Sequence, residues 1–258
     1  MRRLFTFILA FVLMSFSGLA LTQTEGAASV NLASEQRMLS QRIANLYIQT
    51  GLNVMPALAK RQLGLATERF EGNLAALKPV VAGSAEARRV YERLSGEWLG
   101  MKKAAAVAIS RDAAVALSLR AETTLTAADD LTRVLENESN SAASRLVSQA
   151  GRQRMLSQRI AKSYLLRSWG VDSSAVRQEL ESATKDFSAG LVKLRASQVN
   201  NTEIRGELDE VAQQWEWLQA SMSVDGAGYY RLIVAESSDA ILESSDRITR
   251  LYELQSRR

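Results

Sequence analysis

Residues 36–44 read QRMLSQRIA, and residues 153–161 read QRMLSQRIA again, 117 positions further along the chain. The repeated stretch is polar and arginine-rich. Core positions tolerate hydrophobic exchange, so apolar packing alone would not hold two copies identical at arginine, serine and glutamine. The block therefore marks a site that is present twice.

The same offset holds far outside the block. Ala33 matches Ala150, Tyr47 matches Tyr164, Phe70 matches Phe187 and Leu74 matches Leu191. Trp98 matches Trp215, Leu125 matches Leu242, Asp129 matches Asp246, Arg133 matches Arg250 and Glu136 matches Glu253. The chain is a tandem duplication with copies over roughly 30–139 and 147–256, and a period this long signals duplicated domains, not a solenoid.

Each copy reads as helical throughout. There are two prolines in 258 residues and much Ala, Leu, Glu, Arg and Gln, which favours helix. Breakers fall in matching places: 51–56 and 170–174, then 79–84 and 197–202. The third helix of copy one ends near Ser110, and copy two marks the equivalent turn with Asp225, Gly226 and Gly228. Four long helices with short connections predict an up-down-up-down bundle. Between Asp112 and Trp169 Gly151 is the one breaker, so the fourth helix is expected to run into the fifth as a rod or with a kink near 137–141. The predicted architecture is all-α: two tandem antiparallel four-helix bundles over 28–140 and 141–258, related by a pseudo-twofold and joined by a long helix.

The N-terminus has Arg2 and Arg3, an apolar run over 4–14 and a small-residue exit over 15–20. This is the pattern of a secretory signal peptide. Cleavage is expected after Ala20, with the segment extending to 27 or retained as a membrane anchor as the alternatives. The rest of the chain is then expected in the periplasm. Without Arg2 and Arg3 the chain carries 30 basic and 28 acidic side chains, too balanced for general nucleic-acid binding. Cysteine and histidine are absent. That removes disulfides, thiol chemistry, the usual general base and most transition-metal sites. No cofactor and no enzymatic activity are expected. Acid pairs such as Asp129 and Asp130 read as solvated helix surface.

At about 100° per residue, Leu32, Leu39, Ile43 and Leu46 form one stripe, expected to face the copy's own core. Arg37 points to the opposite side, with Ala33, Gln41, Ala44 and Ile48 near it; the second copy places Ala150, Arg154, Gln158, Ala161 and Leu165 there. Small residues on this second face admit a close helix neighbour. Two similar bundles can pack about a twofold as an isologous dimer does, which would bring Arg37 close to Arg154. Two guanidiniums in a partly dry interface repel, and an anion between them removes that cost. Arginine offers planar donors that suit planar oxyanions. Arg42 and Arg159 lie nearer the flank of the core stripe. Ser40 and Ser157 can bond back to helix carbonyls, Met38 and Met155 can fill gaps, and Trp98 and Trp215 are expected in the core or at a bundle end.

The run 150–159, AGRQRMLSQR, resembles the motif of the PilJ-type sensor domain, the periplasmic N-terminal part of type IV pilus chemotaxis transducers. It is also similar to the P-box of nitrate/nitrite sensor kinases. The resemblance implies a motif on the first helix of a four-helix bundle. It also implies an arginine before the methionine that contacts the anion across a dimer interface. Carried over, those arginines are Arg154 and Arg37. Gly151 has Ser34 as its counterpart, and Arg152 has Glu35, so the first half is expected to be the weaker one.

The resulting expectation is a periplasmic nitrate or nitrite sensor acting through a membrane receptor or sensor partner, as a pseudo-dimeric monomer or a homodimer. Its ligand-binding candidates are Arg37, Arg154, Gln41, Gln158, Ser40, Ser157, Gly151, Arg42 and Arg159. The alternative is a helical protein–protein interaction module of a chemosensory or pilus system, with no small ligand, that docks a partner on the repeated face.

Overall fold

A computed structural model describes the backbone of residues 2–223 and 228–255, with side chains over 25–223 and 230–255. The helices are α1 (Arg2–Gly51), α2 (Pro56–Val80), α3 (Ala85–Ala105), α4 (Arg111–Ser139), α5 (Ala142–Ser168), α6 (Ser174–Arg195), α7 (Thr202–Met222) and α8 (Gly228–Gln255), with a short 3-10 turn at Val81–Gly83. The expected signal peptide and its cleavage site lie outside the residues whose side chains are described. So does the turn expected at Asp225 and Gly226. Among the described residues no helix is long and apolar enough to cross a membrane.

Local chemistry sets the helix starts. Ser84, Ser110, Ser141, Ser173 and Asn201 each accept a hydrogen bond from the backbone N–H three residues on, at 2.9–3.3 Å, which satisfies a donor that the first turn leaves open. Pro56 opens α2, where its missing N–H costs nothing.

In copy one, α1 and α4 run antiparallel: Arg37 meets Asp129, Gln41 meets the Ala121 carbonyl, and Tyr47 meets the Ala108 carbonyl. Copy two repeats this with Arg154 to Asp246 and Gln158 to the Ser238 carbonyl. Within each copy the first helix packs on the second and the fourth, and the third packs on the fourth. Phe70 stacks on Trp98 at 4.0 Å, and Phe187 packs tilted against Trp215 at 4.4 Å, so both tryptophans are core residues.

The long connecting helix is not formed. Asn140 adopts φ 43°, in the left-handed region, at the end of α4, and Ser141 caps α5. The chain reverses there within two residues. Asparagine tolerates this conformation better than most residues, and the serine that follows starts a new helix; neither registers as a breaker beside proline or glycine. The reversal lays the second copy alongside the first. α1 and α5 then pack parallel, with Ser34 against Gly151, Arg42 against Gln158 and Gly51 against Trp169. Among the described residues this is the most extensive helix pairing, and one apolar core runs through both copies.

Candidate functional site

Both repeated blocks are buried apart from Arg42 and Arg159, between the α1–α5 seam and the other helices of each copy. Residues 33–49 are buried except Arg42, and Arg154 is among the largest fully buried side chains. The seam face carries Asn31, Ser34 and Asn45 of α1 against Arg154, Gly151 and Gln158 of α5, while Ala150, expected on that face, lies against Leu191, Leu194, Leu208 and Val211 of its own copy. A close approach falls at Gly151, where a Cβ would sit 1.9 Å from Ser34 Oγ. Glycine at 151 is therefore the counterpart that serine at 34 requires, and the mismatch between the copies is a complementary fit.

Arg37 and Arg154 reach across this seam by matching routes. Arg37 is 3% exposed and Arg154 1%. Arg37 Nη2 donates to the Ser148 carbonyl (2.9 Å) and to Ser34 Oγ (2.8 Å). Arg154 Nη2 donates to Asn31 Oδ1 at 2.8 Å, and Asn31 is the counterpart of Ser148. Each arginine also meets a carboxylate of its own copy: Arg37 Nη1 donates to Asp129 Oδ1 at 3.0 Å, and Arg154 Nη1 to Asp246 Oδ1 at 2.7 Å. Burial lowers the proton affinity of Arg37; Asp129 opposes this, and the Arg152 and Arg154 cations add to it. Asp129 and Asp246 are thus not solvated helix surface, contrary to the reading of the acid pairs. They are the counter-ions of the buried arginines, and the signal for them is their matched position in the duplication. Among the described residues, Arg37 Nε and Arg154 Nε are buried with no acceptor.

The other block residues divide by role. Ser40 and Ser157 donate back to the Arg37 and Arg154 carbonyls at 2.8 and 2.9 Å. Gln41 and Gln158 each donate to a carbonyl of the fourth helix of their copy at 3.2 Å. Gln36 donates to the Phe70 carbonyl at 3.0 Å, and Gln153, with its amide turned, reaches that of Phe187 at 3.2 Å. Several identical polar residues therefore tie a buried helix to its neighbours' backbones. The repeated face is covered by the other copy and is not open to an outside protein.

Arg42 and Arg159 make matching ion pairs that cross between copies. Arg42 donates to both Asp239 oxygens at 2.6 and 3.2 Å. Arg159 Nη2 reaches Glu122 Oε2 at 2.5 Å, and Glu122 is the counterpart of Asp239. The second pair is elaborated by Lys162, fully buried, which bonds Glu122 at 2.6 Å and Glu179 at 2.8 Å. Burial alone would raise Glu122; Lys162 and Arg159 hold its carboxyl below the usual glutamate range. The first copy has Asn45 and Gln62 at the corresponding places, so the extra cation and the extra anion enter together. Glu35 is explained similarly. It accepts from Arg69 at 2.6 Å, and its counterpart Arg152 donates to Asp186, the counterpart of Arg69, at 2.9 Å. The charges are exchanged within a conserved pair, so Glu35 is not an isolated negative charge beside the site.

The family described as type IV pili methyl-accepting chemotaxis transducer N-term matches residues 19–124 and again residues 136–249. No curated protein and no solved structure matches. The two matches together cover most of the chain, one on each copy of the bundle, and place it in a family of sensory, non-catalytic domains. The chain belongs to the type IV pili methyl-accepting chemotaxis transducer N-terminal family, as two tandem copies.

Proposed function

We propose that this protein is a periplasmic sensor of a small oxyanion, nitrate or nitrite, that acts through a membrane receptor or sensor partner. In this reading residues 1–20 export the chain, and the units 28–140 and 141–258 are two half-sites held in one polypeptide. The observation that carries the reading is the pair of buried arginines at a seam of small residues, each with a guanidinium N–H that lacks an acceptor. A buried donor left without a partner costs about 1–3 kcal/mol, more when charged, and a planar anion offers acceptors in the plane of the guanidinium. Ser34 and Ser148 add polar groups beside Arg37, and Asn31 adds one beside Arg154. Because α1 and α5 come from different copies, an anion held by both arginines would tighten one copy on the other, and a partner reading the outer helices would register that shift.

Calorimetric titration with nitrate, nitrite and chloride tests this. Nitrate or nitrite should bind with a Kd tighter than about 1 mM, chloride more weakly, and Arg154→Ala should abolish the heat. Absence of binding by all three anions, or unchanged affinity in Arg154→Ala, overturns the assignment.

A second reading is supported by Asp129 and Asp246, which already neutralise the two arginines. In it the seam is purely structural, and the protein is an interaction module that engages its partner through outer helices, where Trp217 is 71% exposed. It predicts no anion-dependent change in melting temperature and loss of partner binding on Trp217→Ala.

A further inference from the structure

We infer that Asp129 and Asp246 are tethered occupants of the oxyanion positions at Arg37 and Arg154, and that they set the affinity of the seam for free anions. The inference rests on the sensor reading for its ligand and on separate geometry for its mechanism. A carboxylate is a planar group with two oxygens, and to a guanidinium it offers the same face as nitrate. Each aspartate divides its oxygens in the same way. Asp129 Oδ1 meets buried Arg37, and its Oδ2 lies 3.4 Å from Arg133 Nε on the same helix. Asp246 Oδ1 meets buried Arg154, and its Oδ2 meets Arg250. Both side chains are 29% exposed, whereas Arg133 and Arg250 are mostly exposed.

The two partners of each aspartate are therefore unequal. The outer arginine can hold the carboxylate at the surface, where water supports both charges. The inner arginine cannot follow, and losing its counter-ion in a buried site is costly. A free oxyanion can remove that obstacle by taking the inner guanidinium while the aspartate remains with the outer one. The tethered carboxylate acts at a high effective concentration, so it raises the ligand concentration needed for occupancy. Its departure frees α4 from α1 in one copy, and α8 from α5 in the other, at the points where these ion pairs join them.

The test is titration of nitrate into the full chain and four variants. Asp129→Asn and Asp246→Asn remove the competing charge and should each tighten nitrate binding about tenfold or more. Arg133→Gln and Arg250→Gln, at exposed positions that do not threaten folding, remove the outer holder and should weaken it severalfold. Asparagine variants that bind no tighter than the parent, or outer-arginine variants that bind tighter, overturn the inference. If the parent binds no nitrate and Asp246→Asn does, the tethered occupant stands and the sensor reading falls. If the parent binds and the asparagine variants do not improve on it, the sensor reading stands and this inference falls. If neither the parent nor any asparagine variant binds, both fall.

Discussion

At the scale of single residues, the seam is governed by the pair Ser34 and Gly151. These counterparts differ, as Glu35 and Arg152 beside them do, and the exchange of serine for glycine is what lets α1 and α5 touch. A methyl group at 151 would enter the space of the Ser34 hydroxyl at 1.9 Å and approach its Cβ at 3.0 Å. Overpacking of this kind costs about 1–3 kcal/mol, so Gly151→Ala should lower the unfolding free energy by that amount in urea melts. In a Ser34→Gly background the cost should fall below about 1 kcal/mol, because the obstructing atoms are gone. An equal cost in both backgrounds would mean that the two residues do not meet. The residue scale is also where sequence and structure part most clearly. The outward direction of Arg37 and Arg154 is legible from helical periodicity, whereas the alanine face read beside them is not the seam: Ala150 lies against its own copy. Their carboxylate partners are not, because Asp129 and Asp246 lie some ninety residues further along and look like ordinary surface acids until the bundle folds them onto the arginines.

At the scale of helices, interactions recur in pairs, and where the copies diverge the charges change together. Glu35 and Arg69 exchange signs with Arg152 and Asp186; Asn45 and Gln62 give way to Lys162 and Glu179. The latter network joins α4 of one copy to α5 and α6 of the other through Glu122. Its pH dependence follows from the depressed Glu122 carboxyl. A carboxyl with a lower pKa folded than unfolded stabilises the fold above the unfolded pKa, and that contribution is lost as pH falls through the folded value. Glu122→Gln should therefore cost about 1–3 kcal/mol near pH 7, where it leaves Lys162 with Glu179 alone. The deficit should shrink as pH drops below about 4.3, the ordinary glutamate value. Chemical denaturation at pH 7 and at successively lower pH measures this, and a deficit independent of pH would contradict it. Most helix limits are legible in the sequence, because serine and asparagine caps, Pro56 and the glycine-containing turns act locally. The α4–α5 reversal is not, since Asn140 and Ser141 are each compatible with a continuing helix and only the packing of α5 beside α1 makes the turn worthwhile.

At the scale of the whole molecule, duplication has placed two equivalent first helices in one chain and a two-residue hairpin has set them parallel. The pseudo-twofold that the repeat implies is realised inside the polypeptide, so both buried arginines, both aspartates and the crossing ion pairs of Arg42, Arg159 and Lys162 belong to a single seam. The proposed oxyanion chemistry depends on this arrangement, because separated copies would leave each half-site open. The chain has no native cysteine, which permits a direct test by disulfide trapping with Ser34→Cys and Gly151→Cys. The Cβ positions lie 3.0 Å apart, and an opening of under about 1 Å brings them to the spacing a disulfide requires. Under mild oxidation the account predicts an intrachain disulfide in monomeric protein, seen as a reductant-sensitive shift in electrophoretic mobility and a cross-linked peptide joining positions 34 and 151. A disulfide-linked dimer in its place, or two free thiols, would contradict it.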